Sequence, residues 1–217
     1  MENNPVIVNV GCGMTPTPGA LNFDNSFSVR LAARPGLLRL CRRLRLVGKD
    51  SLAFAEFCRE NGVRPGDCAR LPLPDGSADA VYSSHMVEHL SRTQVKRYLL
   101  EARRVLKPGG ILRTALPDMG LLIQQYLREG DCDRLIEATL LVPDTGSGLL
   151  AKLRYLLLGW RGHRWMYDGA SFCKLLEECG YRDCRVLSPG ETAIPFPGAL
   201  NLFERAEESA YVEGRKG

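Results

Sequence analysis

The sequence predicts an α/β fold: one domain built on a doubly wound, mostly parallel seven-stranded sheet, with helical insertions forming a lid. Three observations carry this. Short apolar runs alternate with stretches of helical periodicity along the chain, the pattern of βα units around a parallel sheet. Several of the runs stop on a glycine turn, an acid or a small polar residue, as strands do where a sheet edge meets a ligand. The length of 217 residues suits one domain with room for additions, at roughly 150 residues per domain.

Pro5 to Val10 reads as a strand buried on both faces, followed by Gly11-Cys12-Gly13. Ala20 to Asp24 is a second strand. Leu37, Leu40, Leu44 and Val47 recur at helical spacing between arginines and predict one basic amphipathic helix over 34–49. Ser51 is the expected N-cap of the next helix, which Asn61-Gly62 ends. Val63 to Asp67 and Ala78 to Ser83 are the third and fourth strands. Ser91 caps a helix with Val95, Leu99, Ala102 and Leu106 on one stripe, and Lys107-Pro-Gly-Gly110 stops it. Ile111 to Leu116 is the fifth strand. Helices are expected over 119–129, 132–141, 147–158 and 171–179, and strands over 181–187 and 210–215. Residues 26–60 and 119–165 are read as insertions on the carboxyl edge of the sheet, the first a basic lid and the second a substrate-pocket segment.

Hydrophobic residues make up 45% and charged residues 25% of the chain, which excludes disordered, collagen-like and coiled-coil classes. The 29 basic and 25 acidic side chains leave a net charge of +4. Arg30, Arg34, Arg39, Arg42, Arg43, Arg45 and Lys49 account for the excess within a stretch that holds no acid, so the remainder carries 22 − 25 = −3. Such a local patch is not a DNA-binding footprint, and no DNA partner is expected. It reads instead as a solvated face, as a lid drawing an anionic or carrier-bound acceptor, or as a contact with an anionic membrane surface. No apolar run reaches the roughly 18 residues of a membrane span; Leu149 to Trp160 and Leu37 to Val47 are interrupted by charge. The N-terminus lacks the pattern of a signal peptide, and the expectation is a cytoplasmic protein. Eight scattered cysteines without a C-x-x-C pair read as free thiols.

The residues with chemistry fall at strand ends: Gly11, Cys12 and Gly13 after the first, Asp24 ending the second, Asp67 and Cys68 ending the third, Ser84 and His85 ending the fourth. A lone G-x-G is an ordinary turn as readily as a ligand loop; the ordered series is what carries information. With Ala78-Asp-Ala-Val-Tyr-Ser-Ser-His-Met-Val-Glu-His-Leu90, Glu101-Ala-Arg-Arg-Val-Leu-Lys-Pro-Gly-Gly-Ile111 and His163-Arg-Trp-Met-Tyr-Asp168, the chain resembles the Rossmann-like class I S-adenosylmethionine-dependent methyltransferases, particularly the methyltransferase type 11 group. The resemblance covers most of the chain. It implies S-adenosyl-L-methionine as cofactor, with Gly11 and Gly13 against its methionine part, Asp24 on the ribose, Asp67 and the Cys68 backbone at the adenine, and Ser84 and His85 beside them. Carboxylates only accept hydrogen bonds and suit hydroxyl and amino donors. Two features depart from the family: Asn9 stands where an acid is usual, and only ten residues separate Gly13 from Asp24, so the usual first helix is expected to shrink to a turn.

In-line methyl transfer asks mainly for alignment, and a hydroxyl acceptor gains from a base. An imidazole titrating near neutrality fits, which makes His85 the first catalytic candidate and His163 the second. Either is also readable as a structural histidine. Tyr126, Trp165 and Tyr167 are the candidate substrate contacts; the plainer alternative makes Trp165 and Tyr167 core and Asp168 a helix cap. His85-Met-Val-Glu-His89 also matches the H-x-x-E-H zinc spacing, but no third ligand is evident and no metal is assigned. The expected function is O-methylation of a small molecule of natural-product or sugar type. Methylation of RNA or protein, and a non-catalytic binding module, are the competing readings.

Overall fold

A computed structural model describes residues 5–141 and 162–217. The helix expected over 147–158, the whole Leu149 to Trp160 run and part of the 119–165 insertion lie outside the described residues. Seven strands form a single sheet in the order β3-β2-β1-β4-β5-β7-β6: β1 (Ile7–Val10), β2 (Leu21–Asp24), β3 (Arg64–Pro65), β4 (Ala78–Ser84), β5 (Leu106–Pro117), β6 (Tyr181–Leu187) and β7 (Ser209–Lys216). The first five run parallel. β7 is antiparallel to both β5 and β6, and enters between them. The parallel run puts Val10, Asp24, Pro65, Ser84 and Pro117 on one edge, where the chain leaves each strand for a loop.

Helix α4 (Arg92–Val105) carries the expected cap: Ser91 accepts from the Gln94 N–H and Gln94 reaches back to the Ser91 N–H, a complete capping box. Its Val95, Leu99 and Ala102 are fully buried with Tyr98 against β4 and β5. Helices α5 (Met119–Glu129), α6 (Cys132–Thr139) and α7 (Gly169–Glu178) follow β5. On the far face, Arg113 of β5 is wholly buried and pairs with Glu213 of β7 at 2.9 Å. Glu213 also accepts from Thr192 and the Ala193 N–H, and Arg113 donates to the Glu191 and Leu202 carbonyls. This network ties the 191–202 loop to the sheet and gives the buried ion pair extra partners, as such pairs need, with only Arg113 Nε left without one among the described residues.

Between β2 and β3 the structure corrects the single basic helix. Residues 27–60 form α1 (Phe27–Ala32), α2 (Pro35–Arg43) and α3 (Lys49–Glu60). α2 stops because Arg45 turns left-handed (φ 52°) and the N–H of Leu46 reaches back to the Cys41 carbonyl, a Schellman closure. α3 begins on Gly48, which places Ser51 inside its first turn rather than at the cap. The anticipated apolar stripe is inverted. Leu38 and Cys41 are the buried residues, packed with Val29, Leu31, Ala55, Cys58 and Cys12, whereas Leu37, Leu40 and Leu44 are exposed.

The β1–β2 crossover contains no helix, as expected from its length. Two buried asparagines hold it instead. Asn9 donates to the Thr15 carbonyl and Thr17 hydroxyl, and Asn22 pairs with the Thr17 backbone through both N–H and C=O. All eight cysteines are free.

Candidate active site

The strand ends form one crevice wall. Asp24 sits half-buried at the end of β2, where its Oδ2 accepts from the Gly13 N–H at 3.2 Å and its Oδ1 from the Ser26 N–H at 2.8 Å. The Gly11 and Cys12 N–H groups both donate to the Phe23 carbonyl. The glycine turn and the acid are therefore one unit. The two glycines have different reasons to be there. A Cβ on Gly11 would collide with Met86 Cγ, so Gly11 makes room for Met86, while a Cβ on Gly13 would meet nothing within 4 Å. Gly13 alone fits the expected close approach of a ligand to bare backbone. The Cys12 side chain points away into the α1–α3 cluster, where burial pushes its thiol up to about 12; only its backbone borders the crevice.

Asp67 is exposed beyond β3 and accepts from the Ala69 N–H at 2.9 Å. Cys68 beside it packs partly against the main core, and burial lifts its thiol to about 11. Between α1, α2 and the end of β3 lies a cavity of about 380 Å³, lined by Phe27, Arg30, Leu31, Ala33, Arg34, Leu37 and Pro65. Apart from the two arginines its walls are apolar.

At the end of β4, Ser84 pairs with Ala115 of β5, and His85 follows in the left-handed region (φ 47°). His85 Nε2 lies 2.9 Å from Ser209 Oγ, and its Nδ1 is 3.5 Å from Arg205 and 3.6 Å from Glu88. Burial, then the charge of Arg205, lowers its pKa to about 4. The ring is neutral at neutral pH, correcting the expectation of a group titrating near neutrality. Glu88, in the 3-10 turn Val87–His89, has its side chain only 2% exposed, and burial lifts its carboxyl to about 7. His163, itself buried with a lowered pKa caused mainly by desolvation, faces Glu88 Oε1 at 3.9 Å and meets the His89 ring edge-on at 5.1 Å.

Of the substrate candidates, none faces Gly13 or Asp24 in the described contacts. Tyr167 is core: its ring stands edge-on to Phe172 at 5.3 Å, and its backbone bridges to Asp118. Trp165 is partly exposed, with Arg92 stacked 4.7 Å over its ring, so of the plainer alternative only Tyr167 is core. Asp168 caps α7 through Ser171, as that alternative has it. Tyr126 faces α6, in the groove with Leu122, Arg134 and Leu135. Sequence reasoning missed Arg205 and Ser209, which nothing local marks, and left Glu88 as a turn residue although the H-x-x-E-H spacing contains it.

The profile of the methyltransferase domain family matches residues 25–114. A Mycolicibacterium smegmatis protein named a probable S-adenosylmethionine-dependent methyltransferase is 39% identical over 56 residues, 26% of this chain and 21% of that protein. A ubiquinone/menaquinone biosynthesis C-methyltransferase of Caulobacter vibrioides is 53% identical over 45 residues, 21% of this chain and 17% of that one. These matches span about a fifth of each curated relative. Among solved structures, a S-adenosylmethionine-dependent methyltransferase from Methanosarcina mazei superposes with a TM-score of 0.53 at 15% identity, over 100% of this chain and 94% of that one. A possible histamine N-methyltransferase from Thermotoga maritima reaches 0.50 at 18% identity, over 100% and 84%. At these identities the structures show a shared fold.

Proposed function

We propose that this chain, a class I S-adenosylmethionine-dependent methyltransferase by family and fold, methylates the oxygen of a small molecule of natural-product or sugar type. The observation that carries the cofactor side is the Asp24 unit: an acid at the end of β2, held by the Gly13 and Ser26 N–H groups, beside a glycine whose missing side chain leaves open space. Both carboxylate oxygens keep lone pairs after those bonds and suit a pair of ribose hydroxyls. Gly13 offers its backbone to the methionine part, and Asp67 with the Cys68 backbone receives the adenine. When bound, the sulfonium supplies the methyl group and carries its own leaving group. The protein's share is then to align the acceptor oxygen with the methyl and to remove its proton.

His85 stands at the β4 end, where that proton leaves. Burial first, and then the charge of Arg205, keep the ring neutral at neutral pH, and Ser209 holds its orientation. The 26–60 segment closes over the crevice as a lid. Its cavity, with Arg30 and Arg34 set among apolar walls, suits an anionic and partly apolar acceptor. The short match to a C-methyltransferase favours a second reading with carbon as the acceptor atom.

Calorimetry with S-adenosylhomocysteine tests the cofactor half. The wild type binds and Asp24→Ala loses roughly tenfold or more in affinity, since a charge-assisted hydrogen-bond pair contributes about 1.5–3 kcal/mol. Equal affinity in the two proteins overturns the assignment. Release of S-adenosylhomocysteine on incubation with a panel of hydroxylated aromatic acids and sugars tests the acceptor half, and product NMR separates oxygen from carbon. Turnover only with RNA or protein sinks the small-molecule reading.

A further inference from the structure

The chain has three histidines, and all three bring a ring nitrogen to one carboxylate oxygen. His85 Nδ1, His163 Nε2 and His89 Nε2 lie 3.6, 3.9 and 4.0 Å from Glu88 Oε1. The Glu88 side chain is 2% exposed, and among the described residues neither of its oxygens has a hydrogen-bond partner. Burying a carboxylate in that condition is costly, and a cation facing it would offset that cost.

The tautomer of His89 sharpens the point. Its Nδ1 lies 3.2 Å from the Gly162 carbonyl, which can only accept, so Nδ1 carries the proton and Nε2 turns a lone pair toward Glu88. Two acceptors then face each other 4.0 Å apart, too far for a hydrogen bond. The spacing suits a cation between them: ligand atoms around tetrahedral zinc sit about 3.4 Å apart, so Glu88 and each imidazole would close by about half an ångström, and the widest pair of the set by up to about 1.4 Å.

The supports are already in place. The Glu88 carbonyl accepts from the Arg164 and Trp165 N–H groups, and the His163 N–H donates to the Leu140 carbonyl, so the backbones carrying the ligands are tied together. The Gly162 carbonyl holding the far nitrogen of His89 is the outer-shell partner that metal-bound imidazoles commonly have. The partly exposed His89 ring gives an entry path.

We propose that Glu88, His89 and His163, whose ligand atoms all lie within 4.8 Å of one another, bind one divalent transition-metal cation of the zinc class through two imidazole Nε2 atoms and a carboxylate oxygen, with the fourth position open to solvent. A mixed nitrogen and oxygen set favours zinc and its neighbours over calcium or magnesium.

The test uses the full chain, stripped with a chelator and titrated with zinc and, separately, cobalt(II). One equivalent is expected, with cobalt giving visible d–d bands and no thiolate charge transfer. Glu88→Gln and His89→Ala each weaken binding by at least roughly tenfold. The exposed His89 is the variant whose folding is least at risk, and circular dichroism checks both. Binding that is absent, that survives both substitutions, or that shows thiolate charge transfer from the eight free cysteines overturns the site. None of these readouts depends on S-adenosylhomocysteine binding, so this site and the methyltransferase assignment fail separately.

Discussion

Gly11 and Gly13 lie two residues apart in one turn, and their surroundings assign them different work. Both have positive φ, 71° and 49°, but only Gly11 is crowded, by Met86. Gly11→Ala is expected to destabilise the fold by about 1–3 kcal/mol through strain and overpacking, with part of the loss recovered in Gly11→Ala/Met86→Ala. Gly13→Ala carries the backbone strain without the clash, and its larger effect falls on affinity for S-adenosylhomocysteine. Chemical denaturation and calorimetry on the same variants separate the two; equal stability losses contradict the distinction. From the sequence both glycines read alike as ligand-facing, because the partner that distinguishes them, Met86, comes from another strand end. Asp24 and Asp67 were legible because their position depends only on where a strand stops. The meeting of Glu88 with His163, itself a sequence candidate, was not legible, because it is a contact between residues far apart in the chain.

Among the elements, α2 shows where periodicity stops short. It correctly announced an amphipathic basic helix, yet two interleaved apolar sets occupy 37–44, and the set that docks is Leu38 with Cys41. Helical spacing identifies a face, whereas the choice between faces belongs to the neighbours α1 and α3. Leu38→Ala should therefore cost about 2–5 kcal/mol, as for a buried leucine, and Leu40→Ala, exposed, should stay within about 0.5 kcal/mol. Reversed values in urea titration mean that the other face docks. The capping box of α4 and the ends of β6 and β4 followed their local signals closely, since caps and buried runs act over a few residues. Gly48 took the cap from Ser51 because the Schellman turn at Arg45 set where α3 could begin.

Across the whole molecule, acid sensitivity should trace to carboxylates that the fold holds in their charged form. Glu101 on α4 accepts from Arg104 and from the Leu71 N–H, and Arg104 first of all holds its carboxyl below the usual value of 4.5. A depressed native pKa means that the unfolded chain takes up the proton first. The stabilisation is fully present above about 4.5 and is lost as pH falls through the lower native value. Glu101→Gln should thus destabilise at pH 7 and approach the wild type near pH 3; a penalty independent of pH means that Glu101 acts by packing alone.

By itself the sequence determined the α/β class, the chain order of the seven strands and the acid that ends β2, because each rests on local periodicity, turn chemistry or a resemblance spread along the chain. Only the tertiary structure decided which face of α2 is buried, that Gly11 answers to Met86, and that the histidines converge on Glu88. Each of those depends on contacts between segments far apart in the chain, and side-chain packing between such segments leaves no periodic trace in either one.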